Sequence, residues 1–283
     1  MTTAADRYAA TYDAALQAGR LFDHNRPGDR WAELAAEFRM DPRRALDGNL
    51  SALAEYLNST DTLVDVGAGA GRVSLAMASR VAEVVAVEPS AGMREQFVAS
   101  RDEAGIANAR VVADWWMDCA ETGDIVHLAD VTYFVREIVP FITKLHNSAS
   151  HRVMITVWNP TPGDVDLFPR RLLFGEAPPK WPGMPELVAV LWEMGLLPHV
   201  RPLPDHPWWL PEAAGGLSDE DAVQLTMRML ESEDDPLRER VASNMDDLFE
   251  RDADGLTPRW LNAMREVLIT WETGGRALME ERC

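Results

Sequence analysis

The stretch TLVDVGAGAGRVSLAMASRVAEVVAVEPS, Thr62 to Ser90, carries five residues whose types and spacing suit ligand binding: Asp65, Gly67, Gly69, Gly71 and Glu88. Glycine tolerates positive φ and lets a backbone come close to a ligand. Glu88 closes the second apolar run, where a carboxylate can accept charge-assisted hydrogen bonds from adjacent hydroxyls. A dinucleotide would call for G-x-G-x-x-G, with backbone amides free for its pyrophosphate. Here the spacing is G-x-G-x-G, and Arg72 stands where the third glycine would be. Asp65 would also repel a pyrophosphate. These residues therefore favour a phosphate-free ligand with cationic groups and hydroxyls.

The elements that must position them read directly from the apolar pattern. Leu63 to Val66 suits a buried strand, Arg72 to Arg80 a helix, and Val84 to Val87 a second strand. Strand, glycine turn, helix, strand and acid place a ligand at the carboxyl edge of a parallel sheet, against a helix N-terminus. The stretch resembles the cofactor half-site of the class I, Rossmann-like S-adenosylmethionine-dependent methyltransferases, of the type acting on small molecules. The resemblance covers most of residues 60 to 202. It implies S-adenosylmethionine as cofactor, held by Asp65, Gly67, Ala68, Gly69, Gly71, Glu88 and Pro89. It places Asp114 near the adenine amino group and Trp115 against the adenine face. It also sets Leu128 to Asp130, with Ala129, beside the methionine part and the acceptor.

Many members of the class carry a His where this chain has Asp130, so the resemblance implies no histidine base here. Asp130 is the candidate catalytic residue, as a base or as a positioning group for an amine. It is equally suited to the cofactor ammonium, or to capping the next helix through the backbone amide of Tyr133. His127 lies inside a strand and reads as a core residue. The acceptor pocket is expected from Trp158, Phe168, Trp181 and His206, with Trp208 and Trp209; each could instead bury an insertion against the sheet. His and Cys spacings suggest no metal site.

Further strands are expected at Ala109 to Val112, Asp124 to Ala129, Arg152 to Trp158, Leu196 to Arg201 and REVLITWE, 265 to 272. Helices are expected at Met93 to Ser100, Val131 to Leu145, Pro185 to Gly195, and after Ser218 and Asp235. The fold class is α/β: a seven-stranded, mostly parallel sheet with helices on both faces. The resemblance implies an antiparallel last strand. Residues 1 to 60 form an N-terminal helical cap or lid, broken at Asn25-Arg26-Pro27-Gly28, from which Tyr8, Tyr12 and Arg20 could reach a ligand. Residues 61 to 283 form the Rossmann-like methyltransferase domain, with an irregular insertion at 159 to 183 and a helical one at 203 to 258, before the last strand.

The 283 residues include 47% apolar side chains, enough for a sizeable core. A net charge of -19 opposes binding to nucleic acid or an acidic membrane and suits a neutral or cationic small molecule. Two cysteines, Cys119 and Cys283, fit a reducing compartment. With no signal peptide or spanning run visible, the expectation is a cytoplasmic monomer or homodimer. Competing readings are a non-catalytic S-adenosylmethionine-binding regulatory or partner subunit and, less favoured, an NAD-dependent reductase.

Overall fold

A computed structural model describes residues 2–22, 28–262, 264–274 and 277–278. The expected break at Asn25 to Pro27, and Cys283, lie outside the described residues. The main sheet has seven strands: β1 (Thr62–Val66), β2 (Glu83–Val87), β3 (Ala109–Val112), β4 (Gly123–Ala129), β5 (Ala149–Asn159), β6 (His199–Pro202) and, after a small hairpin of β7 (Phe249–Arg251) and β8 (Leu256–Pro258), β9 (Arg265–Glu272). Their order is β3-β2-β1-β4-β5-β9-β6. The first five pair in parallel, and β9 lies antiparallel between β5 and β6. Short runs such as Val84–Val87 are apolar on both faces because both faces are covered.

Helices cover both faces. Helices α1 (Ala4–Gln17), α5 (Ile138–Ser148) and α7 (Met184–Glu193) bury Tyr8, Ile142 and Leu191 against Val64, Leu128 and Ile155. On the other face, α2 (Gly48–Ala54), α3 (Ser74–Met77) and α4 (Ala91–Ala104) pack Leu53, Leu75 and Phe97 against Leu63, Val84 and Leu268. A third core lies under the insertions, where α6 (Leu167–Phe174), α8 (Asp219–Met229), α9 (Asp235–Ser243) and α10 (Met245–Leu248) gather around Trp158 and Phe249. Ser218 and Asp234 cap α8 and α9 by accepting from the N–H groups of Asp221 and Leu237.

Four expectations need correction. Residues 131–145 are not one helix: a 3₁₀ turn, Thr132–Phe134, is followed by extended backbone at Val135 before α5 starts. Residues 159–183 are not wholly irregular, since they contain α6. In both stretches a proline marks a helix start. Pro140 and Pro169 each sit third in their helix, where the missing N–H has no intrahelical acceptor to lose. Residues 252–258 are also more than a turn, because they complete the β7–β8 hairpin. The helix after the glycine loop is shorter than expected, α3 passing into a 3₁₀ turn at Ala78–Arg80.

The N-terminal helix is tied to the site's underside. Tyr8 is fully buried and donates its hydroxyl to the Thr132 carbonyl at 2.6 Å. Tyr8→Phe leaves that buried carbonyl without its donor and is expected to destabilise the fold by about 1–2 kcal/mol. Urea unfolding of the two proteins checks this; an unchanged midpoint would show that the bond contributes nothing.

Candidate functional site

The carboxyl ends of β1, β2 and β4 meet at one edge of the sheet. There Gly67, Gly69 and Gly71 all adopt positive φ, at 67°, 56° and 80°. Gly67 donates its N–H to the Val87 carbonyl at 2.8 Å, which ties the loop to the end of the neighbouring strand. A Cβ on Gly67 would lie 2.6 Å from Cγ2 of Val131. The glycines are therefore required by conformation at all three positions, and by space at Gly67 and at Gly71, where a Cβ would lie 2.6 Å from Cδ1 of Leu75.

Glu88 extends from β2 beneath this loop. Its two carboxylate oxygens accept from the N–H groups of Gly69 and Ser90, each at 2.8 Å. Burial raises its pKa, and nearby Asp65 adds to the rise, while the two amides oppose it. The Pro89 and Glu88 carbonyls both accept from Arg94, which fixes the turn into α4. Asp65 is buried beside its register partner on β4, His127, with Oδ1 and Nδ1 2.8 Å apart. His127 is thus a core residue, as its place in the strand implies, although its Nε2 makes no hydrogen bond among the described residues. Asp114 follows β3 and accepts from the Trp115 N–H; the Trp115 side chain is 55% exposed.

Residues 28–38 form a strap against this edge. Asp29 accepts from the Ser90 hydroxyl at 3.0 Å and the Gly92 N–H at 3.2 Å, at the start of α4. Trp31 and Phe38 pack with Ala35 on Ala70 and Met93. Phe38 also meets Trp208 of the later insertion, edge to face, with ring centroids 5.9 Å apart. Of the N-terminal side chains expected to face a ligand, Tyr8 is spent on Thr132. Tyr12 is buried with Ala15 and Leu21, and Arg20 pairs with Asp166 at 2.7 Å.

Ala129 ends β4, and Asp130 follows with φ 61°, uncommon for a residue with a side chain. Its backbone N–H donates to the Thr156 carbonyl, which holds it at the end of β5. Its carboxylate does not cap the following turn, correcting that reading: the 3₁₀ turn has no side-chain cap. Oδ1 instead accepts from the Tyr133 hydroxyl at 3.2 Å, and Oδ2 pairs with Arg72 at 3.2 Å. That hydroxyl accepts in turn from the Trp158 N–H at 2.5 Å. Burial pushes the Asp130 carboxyl up to about 7, and the Glu266 charge adds to the rise, against the opposing pull of Arg72.

Glu266 and Tyr133 are the members that sequence reading missed. Glu266 begins the apolar strand β9 and gives no motif; only a buried-strand register with one acid facing the site would reveal it. Of the expected pocket residues, Trp158 is buried in the third core and meets Trp209 edge to face. Phe168 is stacked on Trp260, and Trp181 packs on Tyr133 and Phe134. His206 lies half-buried with Nδ1 3.5 Å from Arg265. The structure therefore gathers Asp130, Tyr133, Arg72 and Trp208 at the edge, and spreads Phe168 and Trp158 into the insertions. Among the described residues no group of His, Cys, Asp or Glu could hold a metal ion, and no helix is long and apolar enough to cross a membrane.

Residues 64–150 match the sequence model of a family described as methyltransferase domain. No curated protein matches the chain. Among solved structures, a chain in the complex between the Haloferax volcanii Trm112 methyltransferase activator and the putative methyltransferase is similar at TM-score 0.53 and 14% identity. The match covers 87% of this chain and 98% of that one. The YcgJ protein from Bacillus subtilis is similar at TM-score 0.49 and 15% identity, covering 78% and 96%. A geranyl diphosphate methyltransferase in complex with GPP and sinefungin follows at TM-score 0.42 and 15% identity, covering 79% and 77%. The first of these shares the fold; identities this low carry nothing about substrate.

Proposed function

We propose that the chain, whose residues 64–150 match a methyltransferase-domain model, is a class I S-adenosylmethionine-dependent methyltransferase that methylates a small molecule bound between Asp130 and the insertions. S-adenosylmethionine supplies a methyl group already activated on a sulfonium. What remains for the protein is to hold, orient and exclude water. The loop of Gly67, Ala68, Gly69 and Gly71, with its three glycines at positive φ, brings bare backbone to the methionine part. Glu88 is the acceptor for ribose hydroxyls, through lone pairs not directed at Gly69 and Ser90. Asp114 and Trp115 stand at the adenine end. Asp65, beside Glu88, adds negative potential under a cationic ligand. Asp130 faces the acceptor, to position it or take its proton.

The observation that carries the small-molecule reading is the Phe38–Trp208 contact. It joins the strap to the insertion beside the glycine loop. A folded RNA or protein would have to part both to reach the edge. The net charge of -19 opposes RNA independently. Residues 28–38 are accordingly the part of the N-terminal region that acts as the lid, while α1 packs on α5 and α7.

Two measurements test this. Calorimetry should show heat with S-adenosylmethionine and none with NAD; the reverse would return the reductase reading. Release of S-adenosylhomocysteine should then follow the dialysable fraction of a cell extract rather than its RNA or protein. Release driven only by RNA would overturn the small-molecule assignment. Binding with no release from any fraction would favour the non-catalytic subunit.

A further inference from the structure

We propose that the methyl acceptor is an amine, taken up as its ammonium ion by the carboxylates of Asp130 and Glu266 beside the indole of Trp208. The inference rests on the methyltransferase reading above and adds the chemical class of its substrate.

Glu266 carries the argument. It is the first acid of an otherwise apolar strand, only 4% exposed, and opposite Trp158 in register. One carboxylate oxygen, Oε2, accepts from the Asn49 side-chain amide at 2.7 Å. The other, Oε1, is buried with no hydrogen-bond partner among the described residues. A buried charge without a partner is costly and is normally neutralised or paired. The register partner of Glu266, Trp158, donates its N–H to the Tyr133 hydroxyl, which in turn donates to Asp130, so Glu266 lies one strand away from Asp130 at the same edge. Asn49 is held from its other side, since its Oδ1 accepts from the Asp205 N–H and its own N–H donates to the Asp205 carboxylate, both at 2.8 Å. The network therefore holds Glu266 in place and leaves one oxygen for a ligand.

The existing cation shows what the box accepts. Arg72 places its guanidinium 3.2 Å from Asp130 Oδ2 and 5.4 Å from the ring centroid of Trp208. Carboxylate on one side and an aromatic face on the other is a setting that attracts cations. Arg72 pairs with Asp130, and among the described residues no ion pair reaches Glu266. Arg44 and Arg265 turn their guanidinium groups to backbone carbonyls, of Arg72 and of Asn262 and Met264, and not to Glu266. An ammonium entering between Asp130 and Glu266 supplies the missing charge. Its proton passes to the Asp130 carboxylate. The freed nitrogen pair then forms the N–C bond as the S–C bond breaks, with that bond's electrons leaving on sulfur.

The test uses the full chain with S-adenosylhomocysteine bound. Three probes with one carbon skeleton are compared by calorimetry: 3-phenylpropylamine, 3-phenyl-1-propanol and 3-phenylpropionate. The amine should bind at least tenfold more tightly than the other two. Glu266→Gln should shrink that preference at least fivefold while leaving S-adenosylhomocysteine affinity unchanged, which also shows that the variant is folded. If Glu266→Gln does not fold, Asp130→Asn serves the same comparison. Equal binding of the three probes, tighter binding of the alcohol or carboxylate, or no binding of any would overturn the amine assignment alone. Failure of S-adenosylhomocysteine itself to bind would instead overturn the cofactor reading, and the amine with it.

Discussion

Glu88→Ala is expected to weaken S-adenosylmethionine binding by about 100-fold or more. The carboxylate has two tasks at this edge. It holds the Gly69 and Ser90 amides, each at 2.8 Å, and so fixes both the glycine loop and the start of α4. It is also the acceptor placed for the ribose hydroxyls. Hydrogen bonds to a charged group are each worth about 1.5–3 kcal/mol, and two of them lost is about two to four decades in affinity. Glu88→Gln separates the tasks. The amide keeps one oxygen for a backbone N–H but turns a donor toward the other, so it should bind better than the alanine variant and worse than the parent. Calorimetry measures the affinities, and far-UV circular dichroism shows whether the sheet survives. Affinity within about threefold of the parent for Glu88→Ala would remove Glu88 from the cofactor site.

That residue was legible in the sequence because its meaning is local. An apolar run ending in an acid, after three spaced glycines, needs only the strand–turn–strand rule to place the acid at the carboxyl edge. The closing strand was legible for the same reason: REVLITWE is apolar throughout with polar ends, and β9 covers the same eight residues. Local signals failed where tertiary contact decides. Pro169 looks like a break and Pro140 reads as mid-helix, yet each falls in a first turn, where its helix starts. Aromatic residues on the insertions all look like pocket walls, because composition cannot say which way a side chain faces. Trp158 turns into the third core, and Trp208 turns onto Arg72. Glu266 is the extreme case. It lies 136 positions from Asp130 in the chain, and only the antiparallel insertion of β9 beside β5 brings the two carboxylates to one edge.

Asp130→Asn is expected to lower turnover by about 100-fold or more, the usual worth of a positioned proton acceptor, and to raise the stability of the ligand-free protein at alkaline pH. Both effects follow from the surroundings of one carboxyl. Arg72, Tyr133 and the Trp158 N–H favour its charge, while burial and Glu266 oppose it and prevail, lifting it from 3.8 to about 7. Between those pH values the folded chain binds a proton that the unfolded chain does not. Stability from this group is therefore full below about 4, declines as pH rises to about 7, and stays low above. Asparagine resembles the protonated acid at every pH, and it also accepts the positive φ that Asp130 adopts. The variant should match the parent in urea near pH 4 and exceed it at pH 8. Activity should move the other way. For the parent, kcat/KM should rise with pH through about 7 as the acceptor carboxylate forms, and the variant should lose that rise. A variant less stable than the parent at pH 8 would mean that the Arg72 pair outweighs burial. A retained rise through neutrality would assign the proton to a different group.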